Sequence, residues 1–232
     1  YRADLYGSLA MTGKGHLSDQ IIIRTLAPRP VEVCFHMNEM KKHPNTLELH
    51  AFDAEDGLLE TMTVYSVGGG VVEIEGEDAA VHAPCYPHHT LDEIKAFCAA
   101  EHIGLNAYVD QFDDSDISGY LNEILIQMLK TVDAGLNASG ILPGRLKLER
   151  IARSLLQEAS DVHGSEREKL LLCAYAYAAC EENASGGMSV TAPTLGSSGL
   201  LPALLYYYYY DLKYQRETLV EGLKVAGLIG NL

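Results

Sequence analysis

Residues 87–94 read Pro-His-His-Thr-Leu-Asp-Glu-Ile, and the pattern of the chain changes at this stretch. Thr90 stands where a helix N-cap is expected, and Glu93 follows three residues later, as in a capping box. After this stretch apolar residues recur with helical periodicity, whereas before it they alternate as in strands. The stretch therefore predicts a domain boundary near residue 88.

The part before the boundary is predicted to be a small α/β domain spanning residues 1–88. A helix is expected within the glycine-interrupted stretch from Ser8 to Leu26, with Ser18 as its N-cap. Strands should outnumber helices here, because β-forming residues alternate or cluster in four segments. These segments are 31–37, 46–52, 59–66 and 71–75.

The part after the boundary, residues 89–232, is predicted to be mostly α-helical. Segments rich in Gly, Pro and Asn separate the helical patterns. The tyrosine run from Tyr206 to Tyr210 is expected in a buried helix, with some hydroxyls at polar contacts. The six predicted helices cover residues 91–102, 116–134, 146–160, 166–182, 200–212 and 216–228.

Composition excludes several classes of protein. The 232 residues carry a net charge of −15, which disfavours binding to nucleic acid and to anionic membrane surfaces. No apolar run is long enough to span a bilayer. The five cysteines form no Cys-x-x-Cys pair, which fits a reducing cytoplasm, and Cys173 and Cys180 are predicted to be small buried apolar residues. Because the chain lacks an initiator Met and ends within a helical pattern, we expect residues to be missing at both ends.

The first motif with chemical potential is GSLAMTGKGHLSD at residues 7–19. Glycines allow the backbone to approach a ligand closely, and His16 can transfer a proton near neutral pH. The spacing does not match a Walker phosphate loop. A glycine-rich turn with a helix-capping histidine explains the same residues equally well.

Three further segments offer hydrogen-bonding groups. His43-Pro44-Asn45 is rigid and polar, although it is also a common turn. Ser66-Val67-Gly68-Gly69-Gly70 follows a strand and can present backbone N–H groups to an anion. Such a loop also occurs in pyridoxal-phosphate enzymes, but the expected Ser-x-Lys context is missing. The segments 181–187 and 191–199 are long and rich in Gly, Ser and Thr, as in anion-binding loops at helix N-termini.

Taken in order, six segments resemble the iron–sulfur-dependent L-serine dehydratases, also called L-serine ammonia-lyases. The resemblance covers almost the whole chain, and in this family a smaller α/β domain precedes a helical catalytic domain. The segments are GSLAMTGKGHLSD (7–19), HPN (43–45), TVYSVGGG (63–70), GILPGRLKL (140–148), ENASGGMSVTAPTLGSSGLLPALLYY (182–207) and VAGLIGN (225–231).

The resemblance implies elimination of water from L-serine to give pyruvate and ammonia in a cytoplasmic homodimer. It implies a [4Fe–4S] cluster acting as a Lewis acid on the substrate hydroxyl, and His16 as the base that removes the Cα proton. The implied substrate-binding residues are Thr12, Lys14, His43, Asn45, Ser66, Gly68, Gly69, Gly70, Asn183, Thr191, Thr194, Ser197 and Ser198.

The chain departs from the family pattern at the cluster ligands. Residues 195–199 read Leu-Gly-Ser-Ser-Gly where many members carry a cysteine, and none of the five cysteines falls at a family cluster position. The Ser-Ser-His-Thr segment that usually begins the family is also absent. Three hypotheses stay open: a dehydratase chain that is active only when complete, pyridoxal-phosphate catalysis with residues 66–70 holding the phosphate, and a non-catalytic relative that binds serine or a partner. The choice between serine and threonine is open too, because one methyl group discriminates by only about 1–3 kcal/mol.

Overall fold

The structure is a computed structural model that describes residues 1–15, 17–68, 71–77, 85–113, 116–143, 146–190 and 199–232. Strands are confined to the first third of the described chain, and long helices make up the rest. The predicted change from strands to helices is therefore confirmed. Thr90 and Glu93 form the expected capping box, because each side chain accepts a hydrogen bond from the other residue's backbone N–H.

Five strands form one mixed sheet: β1 (Arg2–Tyr6), β2 (Glu32–His36), β3 (Thr46–Phe52), β4 (Leu58–Gly68) and β5 (Val71–Ile74). Their order across the sheet is β2-β1-β3-β4-β5. β1 and β2 are parallel, and the other pairs are antiparallel. A parallel pair needs a crossover connection, which the helices α1 (Gly7–Gly13) and α2 (Ser18–Leu26) provide.

The two faces of the sheet differ in polarity because successive side chains of a strand point to opposite faces. On one face, Ala3 and Leu5 of β1 are fully buried and pack with Ala10 of α1. On the other face, β1 carries Asp4, which is also buried but is bound to charged and polar neighbours. The apolar face forms the core of this region, and the other face holds a polar cluster.

Seven α-helices follow in the described chain: α3 (Leu91–Glu101), α4 (Leu105–Phe112), α5 (Ile117–Asn137), α6 (Ala152–Glu158), α7 (Gly164–Ala184), α8 (Leu200–Tyr206) and α9 (Arg216–Gly230). The main core lies between the two 21-residue helices α5 and α7, with α6, α8 and α9 around them. A smaller core joins α3 and α4 to Leu228 of α9. Within the described residues, no helix is both long and apolar enough to cross a membrane.

The tyrosine run continues α8 as a π-helical turn, Tyr207–Asp211. Tyr206 is buried, and its hydroxyl donates a hydrogen bond of 2.6 Å to Oδ1 of Asp133 on α5. Tyr208 and Tyr210 are partly exposed. The run is therefore buried on one side only, with a polar contact for the innermost hydroxyl.

Several local predictions were wrong. Ser18 does not cap α2: it is the first helical residue, and the N-cap is Leu17, with φ 58°. Cys173 is exposed and Cys180 is half-buried, because the face of α7 that packs on the core carries Ala174, Ala178 and Ala179 instead. The helix predicted over 146–160 is only Ala152–Glu158, since Ile141 and Glu149 pair in a β-bridge ahead of it.

Candidate functional site

The start of α1, the His-Pro-Asn segment and the end of β4 meet at one corner of the sheet. The backbone N–H of Ser8 donates to the carbonyl of Pro44 at 2.8 Å. Asn45 and Ser66 are bound to each other twice: the Ser66 N–H donates to the Asn45 carbonyl at 3.0 Å, and the Asn45 amide donates to the Ser66 carbonyl at 3.4 Å. Three segments that are distant in sequence are thus joined by hydrogen bonds to the backbone.

Gly7 is required at this corner by its conformation and its surroundings. Its φ is +54°, in the left-handed region that favours glycine. A Cβ at this position would overlap the carbonyl oxygen of Pro44. The glycine that opens the GSLAMTG segment therefore allows α1 to lie directly against the His-Pro-Asn segment.

His43 is held in one tautomer at this corner. Its Nδ1 accepts a hydrogen bond of 3.1 Å from the backbone N–H of Asn45, and its carbonyl accepts one of 2.5 Å from the Thr46 hydroxyl. Because Nδ1 is an acceptor, a neutral His43 carries its proton on Nε2. The half-buried ring therefore offers a donor, which suits a carboxylate or hydroxyl oxygen of a ligand.

A second contact joins the segment after α1 to the C-terminal end of α7. Gly186 has φ +83°, and a Cβ there would overlap Cδ1 of Leu17. Leu17 follows directly on His16 in the Gly-Lys-Gly-His segment, and Gly186 belongs to the Glu-Asn-Ala-Ser-Gly-Gly segment. Two of the segments that carry the resemblance are therefore in van der Waals contact.

The C-terminal end of α7 is organised by Arg150, whose side chain is 9% exposed. Its Nη2 donates a hydrogen bond to the Ser185 hydroxyl and lies 3.6 Å from Oε2 of Glu182. The Ser185 hydroxyl in turn donates to the carbonyl of Glu181 at 2.8 Å. Glu181 is 4% exposed, and its Oε1 accepts from the backbone N–H groups of Ile151 at 2.6 Å and Ala152 at 3.2 Å.

The polar face of the sheet holds a separate charged cluster around Asp4. Its two oxygens contact Arg2 Nε at 2.7 Å, His36 Nε2 at 2.6 Å and His50 Nε2 at 3.0 Å. Burial tends to raise the pKa of Asp4, but the hydrogen bonds from His36 and Arg2 outweigh it and hold the pKa below its ordinary value. The cluster lies on the three adjacent strands β2, β1 and β3 and contains none of the predicted site residues.

Some predicted site residues face elsewhere or lie outside the described residues. The Thr12 hydroxyl donates to the carbonyl of Ser8 within α1, and Lys14 Nζ lies 5.2 Å above the Phe35 ring. Asn183 is half-buried in the last turn of α7, and its carbonyl accepts from Gly186, while Gly68 ends β4. The remaining predicted residues, all outside the described residues, are His16, Gly69, Gly70, Thr191, Thr194, Ser197 and Ser198.

The described residues do not fit the iron–sulfur cluster that the resemblance implies. All five cysteines lie in the described chain, form no disulfide bond with one another and are spread over β2, α3, α7 and the segment before α3. No three His, Cys, Asp or Glu side chains of the described chain are grouped so that they could hold a metal ion. Since iron–sulfur clusters are bound by cysteine thiolates, the described part of this chain does not supply such a site.

Sequence reasoning missed Arg150 as a site residue. It falls in a stretch with helical periodicity, where a lone arginine is usually exposed. Its burial follows from the packing of Arg150, Ile151 and Ala152 against the end of α7, which is a tertiary contact. Its nearness to GILPGRLKL, one of the segments that carry the resemblance, was the available signal.

Comparisons with known proteins identify the family of this chain. The family model for the serine dehydratase alpha chain matches residues 35–232. L-serine dehydratase 1 of Escherichia coli (strain K12) is 30% identical over 280 residues, which cover 99% of this chain and 61% of the relative. The L-serine dehydratase of Streptomyces coelicolor is 33% identical, with 100% and 62% covered, and that of Haemophilus influenzae is 29% identical, with 99% and 61% covered.

The chain thus spans about three fifths of the length of the curated relatives that it matches. The family model covers all of the described helices from α3 to α9, together with strands β3, β4 and β5. The family model therefore matches all but the first 34 residues of the chain. The chain belongs to the serine dehydratase alpha chain family.

Proposed function

We propose that this chain is the substrate-binding part of an L-serine dehydratase, which converts L-serine to pyruvate and ammonia. The observation that carries the proposal is the contact between Leu17 and Gly186. It brings the residue that follows His16 in sequence next to Gly186, just after α7, so that residues from the α/β and helical regions can reach one substrate.

The chemistry requires removal of the Cα proton and loss of the β-hydroxyl group. The electron pair of the Cα–H bond forms the Cα–Cβ double bond as hydroxide leaves, which gives aminoacrylate. Aminoacrylate tautomerises to an imine, and water then hydrolyses the imine to pyruvate and ammonia. We assign proton removal to His16, because an imidazole accepts a proton near neutral pH.

The carboxylate of the substrate is proposed to bind at the corner formed by His43, Asn45 and Ser66. The donor on Nε2 of His43 and the constrained Asn45–Ser66 pair support this assignment. The glycines that follow Ser66 in sequence are proposed to belong to this corner, and they are Gly68, Gly69 and Gly70. The segment after α7 is proposed to contribute Thr191, Thr194, Ser197 and Ser198. Thr12, Lys14 and Asn183 are proposed as secondary contacts.

Activation of the hydroxyl leaving group is proposed to need residues beyond this chain. The family implies a [4Fe–4S] cluster as a Lewis acid, but the cysteines described here are too scattered to bind one. Thiolates from further polypeptide of the same protein, or from a partner, would be required. Dehydratase activity is therefore a property that we propose for the whole protein.

The test is pyruvate release from L-serine, measured with the whole protein after anaerobic incubation with iron and sulfide. His16→Ala should abolish pyruvate release while L-serine still binds. His163→Ala is the matched control, since this exposed histidine at the start of α7 makes no side-chain capping hydrogen bond. Pyruvate release by the His16 variant at the wild-type rate would refute the assignment of the base.

A non-catalytic function is the second candidate, favoured by the scattered cysteines. In that case the chain binds L-serine or a partner without eliminating water. L-serine binding by the whole protein, with neither iron binding nor pyruvate release after reconstitution, would select this alternative. Pyruvate release only after reconstitution would reject it.

We further propose two domains, 1–88 and 89–232, in a cytoplasmic homodimer. The extensive contacts of β1–β5 are with one another and with α1 and α2, while α3–α9 contact one another, which supports the division. Limited proteolysis should cut near residue 88 and release two stable fragments. Light scattering should give twice the mass of one chain for the whole protein.

A further inference from the structure

Two of the four buried side-chain atoms without hydrogen-bond partners in the described chain lie at the C-terminal end of α7. They are Nη1 of Arg150 and Oε2 of Glu181, whose side chains contact Ser185 and the backbone of Ile151, respectively. Buried polar groups are almost always hydrogen-bonded, because an unsatisfied one costs free energy and a charged one costs more. A ligand with one acceptor and one donor would satisfy both atoms.

Arg150 presents an unused donor. Its Nη2 is occupied by Ser185 and Glu182, whereas Nη1 is buried and has no acceptor. A guanidinium group binds a carboxylate particularly well, because its N–H groups match the two carboxylate oxygens. The free Nη1 of Arg150 is therefore suited to one oxygen of an anionic group.

Glu181 presents an unused acceptor close to it. Its Oε1 is bound to the backbone N–H groups of Ile151 and Ala152, directly after Arg150 in sequence, while Oε2 is buried without a donor. Within the described residues, Arg150 pairs with Glu182 and not with Glu181. The open carboxylate oxygen is suited to an ammonium group.

We propose that Arg150 and Glu181 bind the carboxylate and the ammonium group of an α-amino acid. An α-amino acid at neutral pH carries both charges on adjacent positions, so it can satisfy the open donor and the open acceptor together. This inference rests on the proposed function, and it makes the end of α7 the place where the zwitterion is recognised.

The position of these residues agrees with the proposed base. Arg150 is bound to Ser185, which is followed by Gly186, and Gly186 contacts Leu17 next to His16 in sequence. Arg150 is thus linked to the segment that carries the proposed base by its side-chain contact with Ser185 and by the contact of Gly186 with Leu17. A carboxylate has two oxygens, so we assign one to Nη1 of Arg150 and the other to the donor on Nε2 of His43, which keeps the assignment made for the His43 corner.

The first experiment measures binding of three ligands to the full chain by titration calorimetry. L-serine carries both charged groups, glycerate lacks the ammonium group, and ethanolamine lacks the carboxylate. We expect L-serine to bind about 10- to 100-fold more tightly than either analogue, because each analogue leaves one buried charge unpaired. Equal affinities for the three ligands, or no binding of L-serine, would overturn the inference.

The second experiment tests whether Arg150 binds the carboxylate and Glu181 binds the ammonium group. Arg150→Gln should remove the preference for L-serine over ethanolamine and leave the preference over glycerate. Glu181→Gln should do the reverse, and its amide oxygen can still accept from Ile151 and Ala152, so that the fold is retained. Arg153→Gln, an exposed position on α6, is the control and should change neither preference.

A merely structural role would lower the affinity for all three ligands equally, and that result would refute the inference. Arg150→Lys guards against misfolding: it keeps the charge and should retain part of the preference for L-serine over ethanolamine. Loss of the whole preference in a folded Arg150→Gln, with partial rescue by lysine, supports a direct contact.

Failure of this inference is distinguishable from failure of the proposed function. If the whole protein releases pyruvate and Arg150→Gln leaves the KM for L-serine unchanged, the inference is wrong and the function stands. If the ligand preferences depend on Arg150 and Glu181 as expected but no pyruvate forms, the amino-acid site stands and the dehydratase proposal fails.

Discussion

Replacement of Gly135 by alanine tests the packing that holds the helical region together. Gly135 is buried on α5, and a Cβ there would overlap the carbonyl oxygen of Ala178 and lie 2.7 Å from its Cα. The obstacle is the backbone of α7, which cannot rotate away as a side chain can. The two 21-residue helices would have to move apart by roughly 1 Å, and overpacking of this kind costs about 1–3 kcal/mol.

The expected net loss of stability is about 2 kcal/mol. The estimate takes about 3 kcal/mol for the backbone clash and subtracts about 1 kcal/mol, which alanine gains over glycine inside a helix. For a chain of this size the melting temperature should fall by about 4–8 °C. Gly222→Ala is the matched control, because Gly222 lies in α9 and a Cβ added there would meet no atom within 4 Å.

The measurement is urea and thermal unfolding followed by far-ultraviolet circular dichroism, which reports mainly the helices. Gly222→Ala should stabilise the protein by about 1 kcal/mol, from helix propensity alone. Because the two Gly→Ala substitutions are expected to change the free energy of unfolding in opposite directions, the comparison separates helix propensity from helix packing. Equal stabilisation by both substitutions would refute the close approach of α5 to α7.

Three further outcomes are expected. Gly186→Ala should lower pyruvate release by up to about 100-fold, because its Cβ would displace Leu17, the neighbour of His16 in sequence. Gly164→Ala is the control, since Gly164 also has a positive φ but a Cβ there would meet no atom within 4 Å, and it should not lower the rate. Equal effects of the two substitutions would contradict the contact between Leu17 and Gly186. Tyr206→Phe should lower the free energy of unfolding in urea by about 2 kcal/mol, since it removes the donor to a carboxylate. Because folding lowers the pKa of Asp4, the stabilisation from its carboxylate is complete above the ordinary pKa of about 3.9 and is lost as the pH falls through the folded pKa. In Asp4→Asn the free energy of unfolding should therefore depend less on pH in this acidic range.

The longer elements were predictable because their apolar patterns repeat over several turns or pleats. Strands β2–β5 and helices α3, α5, α7 and α9 lie within a few residues of their predicted ranges. β1 was missed although Arg2–Tyr6 alternates, because five residues give a weak signal. α4 was missed because only His102, Ile103 and Gly104 separate it from α3. α1 was missed because the glycines at both its ends suggested a turn, whereas they permit close packing.

The candidate site was predictable only as a set of segments. Motif order indicated that the GKGH and ENASGG segments belong together, but their contact through Leu17 and Gly186 needs the fold. Arg150 could not be found from the sequence, because nothing local separates a buried arginine from an exposed one. Its environment is created by the packing of two distant segments. The position of Lys14 Nζ, 5.2 Å from the centre of the Phe35 ring, could likewise not be predicted, because it depends on the packing of α1 against β2.

The cluster around Asp4 has a consequence for how the sheet assembles. Asp4 on β1 binds His36 on β2 and lies beside His50 on β3, so it is matched to both neighbouring strands at once. A slip of β1 by one residue would turn Asp4 into the apolar layer and move Leu5 out of it. Such a sheet would enclose an unpaired carboxylate, which costs several kcal/mol. The buried charge therefore selects the native strand register, because it destabilises misaligned pairings that hydrophobic contacts alone would allow.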